Sequence, residues 1–186
     1  MPAASGNLRD RAILLCVCGG IAAYKAVELV RRLRDAGADV QVAMTENAQR
    51  FVGAQTFQAV SHHPVRTSLW DANAEAAMGH LELAGWAQQV VIAPATANTI
   101  ARLAHGMADD LVSTLCLATD APLALAPAMN RLMWAHPATQ ANVETLRARG
   151  ALLLGPDSGG QACGEVGEGR MMEPEAIVAA LARASA

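Results

Sequence analysis

The sequence predicts an α/β protein with a single open parallel sheet and helices on both faces. Short, continuous apolar runs recur along the chain, as expected of strands that are buried on both faces. Helical patterns separate most of these runs, so the order of elements alternates between strand and helix. The 186 residues suffice for one ordinary core, and no repeat or linker divides them. The simplest partition is therefore a single domain.

The elements follow one another from the amino terminus. AILLCVC is the first strand, and the helical pattern IAAYKAVELVRRLRDAG follows it after two glycines and ends at Gly37. ADVQVAM is the second strand, QQVVIAPA the third, APLALAPA the fourth and ALLLGP the fifth. Right-handed crossovers would make this sheet Rossmann/flavodoxin-like, with ligands bound beyond the carboxyl ends of its strands. We expect residues 1–10 to form a disordered leader and residues 11–186 the domain.

Composition argues against several classes of function. The chain has a net charge of -3, no cluster of Lys or Arg and 3% aromatic residues, so a nucleic-acid surface is not expected. Its apolar runs are far shorter than the ~20 residues of a membrane span. The first ten residues, MPAASGNLRD, have no apolar centre of the kind found in signal peptides. These features predict a cytoplasmic protein.

The four cysteines do not predict a metal site, because none forms a Cys-x-x-Cys pair or has a histidine at ligand spacing. Cys16 and Cys18 alternate within the first strand, which favours small core residues. Cys163 differs from them, since it lies in the glycine-rich segment GPDSGGQACGEVGEG.

Two junctions between a strand and the following helix suit a phosphate-bearing ligand. In CGGIAAYK, Gly19 and Gly20 let the backbone approach a phosphate at a helix N-terminus. The third glycine of a dinucleotide motif and the Gly-Lys-Ser/Thr of a triphosphate loop are missing, so a mononucleotide fits this junction better than NAD or ATP. A tight turn that binds no ligand explains the two glycines equally well. In PATANT, Thr96, Asn98 and Thr99 follow an apolar strand. Helix capping explains one of these polar residues, and the presence of three favours a ligand.

Two further segments carry candidate reactive groups. GHLELAGWA places His80 ahead of the third strand, where an apolar–polar alternation would orient it near the ligand edge to take a proton. The other histidines are interpreted as surface or core residues. PAMNRLMW follows the fourth strand, and its Met129, Met133 and Trp134 alone would indicate core. The Asn130 amide, at a helix start, is suited to holding a carboxylate.

Together these segments resemble the homo-oligomeric flavin-containing cysteine decarboxylases. The resemblance runs from about residue 11 to 182 and rests on GGIAAYK, GHLEL, PATANT, PAMNRLMW and GQACGEVGEGRM, which occur in that order. It is strongest toward bacterial members that are fused to a ligase domain. Several ordered motifs at matching strand–helix junctions are a far more specific signal than any one of them.

The resemblance implies a role for each matching residue. His80 matches the family's base and Cys163 its acid, while Asn130 matches its ligand for the substrate carboxylate. The flap over the substrate would include Gly160, Ala162 and Met171. The residues implied to hold FMN are Gly19, Gly20, Ile21, Thr45, Phe51, Thr96, Ala97, Asn98, Thr99 and Ala128. Family members often carry serine where Gly20 stands, so one hydroxyl beside the phosphate is missing here.

The implied activity is FMN-dependent decarboxylation of 4'-phosphopantothenoylcysteine to 4'-phosphopantetheine in coenzyme A biosynthesis. Oxidation of the thiol-bearing carbon to a thioaldehyde supplies the electron sink for loss of carbon dioxide, and the resulting enethiol is then reduced. Cys163 would give the last proton, which favours this substrate, because relatives that stop at the enethiol are not expected to need it. Two alternatives stay open: a peptidyl-cysteine decarboxylase of lantibiotic type and a non-catalytic flavin-binding regulatory subunit.

The resemblance also implies partners. It implies a homo-oligomer, either a trimer or a dodecameric particle built from trimers, with FMN at the subunit boundary. PAMNRLMW and the Cys163 flap would then complete a neighbouring subunit's site. A phosphopantothenate–cysteine ligase, as a domain or as a separate protein, is a further expected partner, whereas nucleic acid and membranes are not expected.

Overall fold

The computed structural model describes residues 8–70 and 79–184 and confirms the predicted fold class. Its main sheet has five parallel strands in the order β2-β1-β3-β4-β5. The strands are Ala12–Val17 (β1), Asp39–Met44 (β2), Gln89–Ala95 (β3), Leu123–Pro127 (β4) and Leu152–Leu153 (β5). The strand order reverses between β1 and β3, which is where sheets of this kind bind ligands.

Helices connect the strands and cover both faces of the sheet. They are Ala23–Asp35 (α1), Ala54–Ser61 (α2), Gly79–Trp86 (α3), Ala97–His105 (α4), Leu111–Leu117 (α5), Arg131–Ala135 (α6), Pro137–Ala148 (α7) and Pro174–Ala184 (α8). A 3-10 helix, Glu46–Arg50, follows β2. Across the described ranges, no helix combines the length and the apolar character that a membrane crossing requires.

The first strand shows why the apolar runs are continuous. Ile13, Leu15 and Val17 belong to the core cluster that includes residues of α1, α2 and α8. Leu14 and Cys16 belong to the cluster on the opposite face, with residues of α3, α4, α5 and α7. All five side chains are fully buried, because successive residues of a strand point into opposite layers.

Three cysteines are core residues of the second layer. Cys16 and Cys18 are buried, as the sequence predicted, and Cys116 from α5 is buried in the same cluster. Burial raises the pKa of the Cys18 thiol to about 12, so this thiol stays protonated at neutral pH. Cys163 is exposed, which separates it from the other three.

One segment differs from the element that the sequence predicted, and another had been assigned no element. The fifth strand is only two residues long, because the chain turns at Gly155 (φ 81°) into an antiparallel hairpin, Asp157–Gly160 (β6) with Val166–Arg170 (β7). GHLELAGW, whose alternation was used only to predict the orientation of His80, forms helix α3. Its buried residues, Gly79, Leu83 and Ala84, have the spacing of a helix face rather than of a strand face.

The predicted amino-terminal leader overlaps the packed part of the chain. Leu8 is only 1% exposed and belongs to the core cluster beside α1. Asp10 N donates to the Gly37 carbonyl at 2.9 Å, so the backbone here is tied to the end of α1. The packed region therefore begins before the predicted boundary at residue 11. Residues 1–7 lie outside the described residues.

Candidate functional site

A cavity of about 1030 Å³ lies at the carboxyl edge of the sheet, where the strand order reverses. Its wall is built from the segments after β1, β2, β3 and β4 together with the β6–β7 hairpin. Its size is at the upper end of the usual range for small-molecule sites, about 300–1,000 Å³. The predicted site residues in the wall are Gly19, Gly20, Ile21, Thr45, Thr96, Ala97, Asn98, Thr99, Ala128, Asn130, Gly160, Ala162, Cys163 and Met171.

The two glycines after β1 have different roles. A Cβ at Gly19 would lie 2.8 Å from the Asn47 carbonyl carbon and closer still to the Asn47 Cβ, so the loop after β2 packs directly on this glycine. At Gly20 the nearest atom to an added Cβ, Thr96 Cγ2, is 3.8 Å away. Gly19 is thus needed for packing, whereas Gly20 leaves its space to the cavity.

Helix α1 begins at this cavity with a positive helix end. Its N-cap residue, Ala22, provides no side-chain hydrogen bond, and its first turn contains no acidic residue. The Ala23 N–H donates to the Gly20 carbonyl at 2.9 Å, which makes the turn compact. Backbone N–H groups at such a helix start, with the positive end of the helix dipole, suit an anion such as a phosphate.

The polar residues of PATANT divide between structural and exposed positions. The Thr96 hydroxyl caps α4 by accepting from Thr99 N at 3.3 Å. Thr99 is buried, and its hydroxyl donates to Cys18 Sγ at 3.2 Å. Asn98 is exposed on the cavity wall. All three residues line the cavity, but the Thr96 and Thr99 hydroxyls also organise the junction, and Asn98 is the exposed one of the three.

The Asn130 amide has a fixed orientation because Asn130 is the N-cap of α6. Its Oδ1 accepts from Leu132 N at 2.8 Å, which directs Nδ2 away from the helix. Nδ2 donates to Glu165 Oε2 at 2.8 Å and lies 3.6 Å from Cys163 Sγ. The structure therefore brings the predicted carboxylate ligand and the predicted acid together, with a glutamate between them that sequence reasoning missed.

The β6–β7 hairpin is docked on PAMNRLMW. Gly169, with a φ of 129°, passes so close to the Met129 carbonyl oxygen that an added Cβ would collide with it. Met129 N donates to the Gly169 carbonyl at 2.9 Å, and Gln161 Nε2 donates to the Met129 carbonyl at 3.2 Å. The indole of Trp134, a core residue, donates to Glu168 Oε2 at 3.3 Å. Backbone and side-chain contacts therefore hold the hairpin against the cavity.

Glu165 lies in the loop of the hairpin and is held by two donors from the start of α6. Asn130 Nδ2 bonds one carboxylate oxygen, and an Arg131 guanidinium nitrogen bonds the other at 3.2 Å. The Asn130 hydrogen bond and the Arg131 charge lower the pKa of the Glu165 carboxyl. An ionised carboxylate therefore occupies the Asn130 amide in this structure.

Lys25 is a second residue that sequence reasoning missed, although it stands in GGIAAYK. Its side chain is 10% exposed, and its Nζ donates to Glu173 Oε1 at 2.8 Å and to the Met171 carbonyl at 3.3 Å. The hydrogen bond from Lys25 lowers the pKa of Glu173. A lysine within the buried side of an amphipathic helix was the available sequence signal. Its contacts tie the end of the hairpin to α1.

Two predicted site residues lie outside the wall of this cavity. His80 is half-buried in the first turn of α3, and Phe51 is 49% exposed at the end of the 3-10 helix. The wall also contains an ion pair that was not predicted, in which Arg102 lies 2.6 Å from Asp110. Within residues 8–70 and 79–184, no group of three or more His, Cys, Asp or Glu is arranged to hold a metal ion.

Sequence comparison shows the family of the chain. The family model described as Flavoprotein matches residues 2–185. The chain is 61% identical over 172 residues to the coenzyme A biosynthesis bifunctional protein CoaBC of Escherichia coli K12. It is 48% identical over 171 residues to the protein of the same name from Bacillus subtilis 168. Each match covers 92% of this chain but only 42% of the relative, so the chain spans less than half of those proteins.

Solved structures share the fold over nearly their whole length. A cysteine-to-serine mutant of PPC decarboxylase complexed with pantothenoylaminoethenethiol matches with a TM-score of 0.81 and 31% identity, covering 93% of this chain and 97% of the other. The FMN-binding protein AtHal3 matches with a TM-score of 0.80 and 32% identity, covering 93% and 95%. The family match, the close relatives and the common fold agree, and the chain belongs to the Flavoprotein family.

Proposed function

We propose that this chain binds FMN and decarboxylates 4'-phosphopantothenoylcysteine to 4'-phosphopantetheine. The observation that carries the proposal is one cavity in which a helix start suited to a phosphate, the Asn130 amide and the Cys163 thiol lie together. Relatives named for coenzyme A biosynthesis and for PPC decarboxylation support this substrate.

The residues of the cavity fit FMN. The positive end of α1 suits its phosphate, and Gly20 leaves the backbone open to it. Asn98 and Thr45 would contribute polar contacts from neighbouring junctions, both being in the wall. Two solved relatives, SpaF and AtHal3, are described as FMN-dependent or FMN-binding. When bound, FMN would accept a hydride from the thiol-bearing carbon of the substrate and later return it.

Asn130 and Cys163 would act on the carbon that carries the carboxylate. Asn130 Nδ2 would donate to the carboxylate and hold it beside Cys163, whose Sγ is 3.6 Å from that nitrogen. After carbon dioxide leaves, the Cys163 thiol would protonate the same carbon. A relative that lacks a cysteine is described in complex with an aminoethenethiol, and an unsaturated thiol is what this role for Cys163 predicts.

The hairpin and the methionines would keep water from the reacting carboxylate. Met129 and Met133 line the cavity, while the hairpin covers it through Gly160, Ala162 and Cys163. Poor solvation destabilises the charged carboxylate of the substrate more than the neutral carbon dioxide that it becomes. Excluding water therefore favours decarboxylation. Trp134, in contrast, supports this wall from the core through its bond to Glu168.

We propose that a second copy of the chain completes the site with His80, the expected base. His80 is absent from the wall that one chain forms. Ile21 and Tyr24 line the cavity and are nevertheless 61% and 62% exposed, which is typical of a surface that another subunit covers. A homotrimer would place such surfaces in contact. Light scattering on FMN-loaded protein measures the mass, and a monomer would contradict this arrangement.

The decisive experiment offers FMN-loaded protein 4'-phosphopantothenoylcysteine and measures carbon dioxide and the thiol product. We expect stoichiometric carbon dioxide and 4'-phosphopantetheine. In the Cys163→Ser variant we expect the enethiol to accumulate. A peptide ending in cysteine is the control substrate. Turnover of the peptide alone would indicate the peptidyl decarboxylase, and FMN binding without carbon dioxide from either compound would indicate the regulatory alternative. A phosphopantothenate–cysteine ligase remains the expected source of the substrate.

A further inference from the structure

The donor proposed for the substrate carboxylate already holds a carboxylate of the protein. Asn130 Nδ2 has two hydrogens, and among the residues that the structure describes it contacts Glu165 Oε2 at 2.8 Å and Cys163 Sγ at 3.6 Å. The Asn130 Oδ1 is taken by Leu132 N at 2.8 Å, so the amide cannot turn its acceptor outward without losing the helix cap. A substrate carboxylate beside Cys163 therefore meets Glu165 at the same donor.

Two carboxylates at this amide would repel one another, so binding of the second favours departure of the first. Glu165 is placed to leave. Its side chain is 38% exposed, and Arg131 binds its other oxygen at 3.2 Å independently of Asn130. It also follows Gly164, whose φ of 87° marks a tight turn in the loop between β6 and β7. Glu165 can thus release Asn130 and keep Arg131 as a partner.

We infer that Glu165 is an internal counterpart of the substrate carboxylate, which it replaces on Asn130 whenever the site holds no carboxylated ligand. This inference rests on the proposed function and deepens it. The substrate displaces Glu165 by exchanging one carboxylate for another. Decarboxylation removes the substrate's carboxylate, and Glu165 then returns to the amide. The exchange lowers affinity for the substrate without lowering affinity for the product, and it resets the site after each turnover.

The inference predicts a difference between two ligands that cannot react. One is 4'-phosphopantothenoyl-alanine, which has the carboxylate but no thiol, and the other is its decarboxylated counterpart, the ethylamide. Binding to FMN-loaded protein is followed by the change in flavin absorbance. In Glu165→Ala the competitor is gone, so the alanine ligand should bind roughly tenfold more tightly, the value of one hydrogen bond to a charged group. The ethylamide should change less than about twofold.

Two further variants separate competition from loosening of the hairpin. Glu165→Gln keeps the size of the side chain but removes its charge, so an intermediate gain is expected for the alanine ligand, since neutral hydrogen bonds are weaker. Glu168→Gln disturbs the same hairpin at Trp134 and leaves the Asn130 contact in place. It should not change the ratio of the two affinities.

Each result decides the inference. A selective gain for the alanine ligand in Glu165→Ala supports it. Equally weaker binding of both ligands would show that Glu165 only holds the hairpin, and unchanged affinities would show that it does not compete. Either result overturns the inference, and neither affects the proposed function as long as the wild-type protein decarboxylates its substrate. Wild-type protein that releases no carbon dioxide and binds neither ligand would refute the proposed function, and the inference with it.

Discussion

Replacing Gly19 by alanine tests whether the loop after β2 and the turn after β1 form one cofactor-binding unit. The added methyl group would lie 2.8 Å from the Asn47 carbonyl carbon and nearer to its Cβ. Neither of these atoms can move by a side-chain rotation, because one is in the backbone and the other is attached to it. The backbone of the loop must therefore shift. Gly20→Ala is the matched control, since its nearest neighbour would be 3.8 Å away.

The magnitude follows from overpacking at a close contact. Inserting a methylene into a packed position costs about 1–3 kcal/mol. If the loop shifts in the free protein, that amount is lost from the free energy of unfolding. If FMN binding requires the original position of Thr45 and Asn47, both in the cavity wall, part of the cost appears as weaker binding. A cost of about 1.4 kcal/mol there would weaken FMN binding tenfold.

Two measurements give the answer. Urea denaturation of the apoprotein measures the change in unfolding free energy, and quenching of flavin fluorescence measures the dissociation constant for FMN. We expect Gly19→Ala to lose about 1–3 kcal/mol in the sum of the two effects. Gly20→Ala should lose less than half of that. Equal effects of the two substitutions would refute the reasoning, because the close approach of Asn47 would then have no energetic consequence.

Three other perturbations have defined outcomes. Glu173→Gln should lower the free energy of unfolding at neutral pH, and this effect should disappear as pH falls. The reason is that hydrogen bonding to Lys25 lowers the folded-state pKa of Glu173 below the ordinary 4.5. The stabilisation is complete above the unfolded pKa and is lost as pH falls through the folded pKa, which urea unfolding at a series of pH values measures. The phenyl ring in Gly20→Phe should fill the part of the cavity proposed for FMN and give a colourless protein. A yellow variant would contradict the placement of FMN beside Gly20. Co-expressed His80→Asn and Asn130→Ala chains should recover part of the activity that each loses alone, since some subunit boundaries then pair intact residues. No recovery would argue that one chain supplies both.

The layers of the fold could be predicted because strand burial has a direct sequence pattern. A parallel strand covered on both faces must be apolar at every position, and β1 has this property from Ile13 to Val17. The junctions after β1 and β3 could be located for the same reason, since the apolar run ends where the chain leaves the sheet. Boundaries were less accurate, as the two-residue β5 shows.

The hairpin could not be predicted from periodicity, because its residues do not form a core. DSGG and VGEGR contain no alternating apolar face, and most of their side chains are half-buried or exposed. Their conformation depends on docking, in which Gly169 meets the Met129 backbone and Glu168 meets the Trp134 indole. These contacts join positions far apart in the sequence, and no local pattern records them. The sequence assigned no element to GHLELAGW, which forms helix α3, since so short a segment fits both periods.

The segment PAMNRLMW shows why core and ligand interpretations were not alternatives. Trp134 is a core residue and also binds the hairpin, while Met133 on the same short helix lines the cavity. Asn130 caps the helix with its oxygen, and this bond is what directs its nitrogen to a carboxylate. Loss of the cap would therefore change both the stability of α6 and the direction of the amide. An Asn130→Asp substitution would keep an acceptor for the cap but replace the donor with a second negative charge beside Glu165. It should retain the fold and lose carboxylate binding, and so separate the two roles of Asn130. A substitution that removed the cap as well would affect both roles at once.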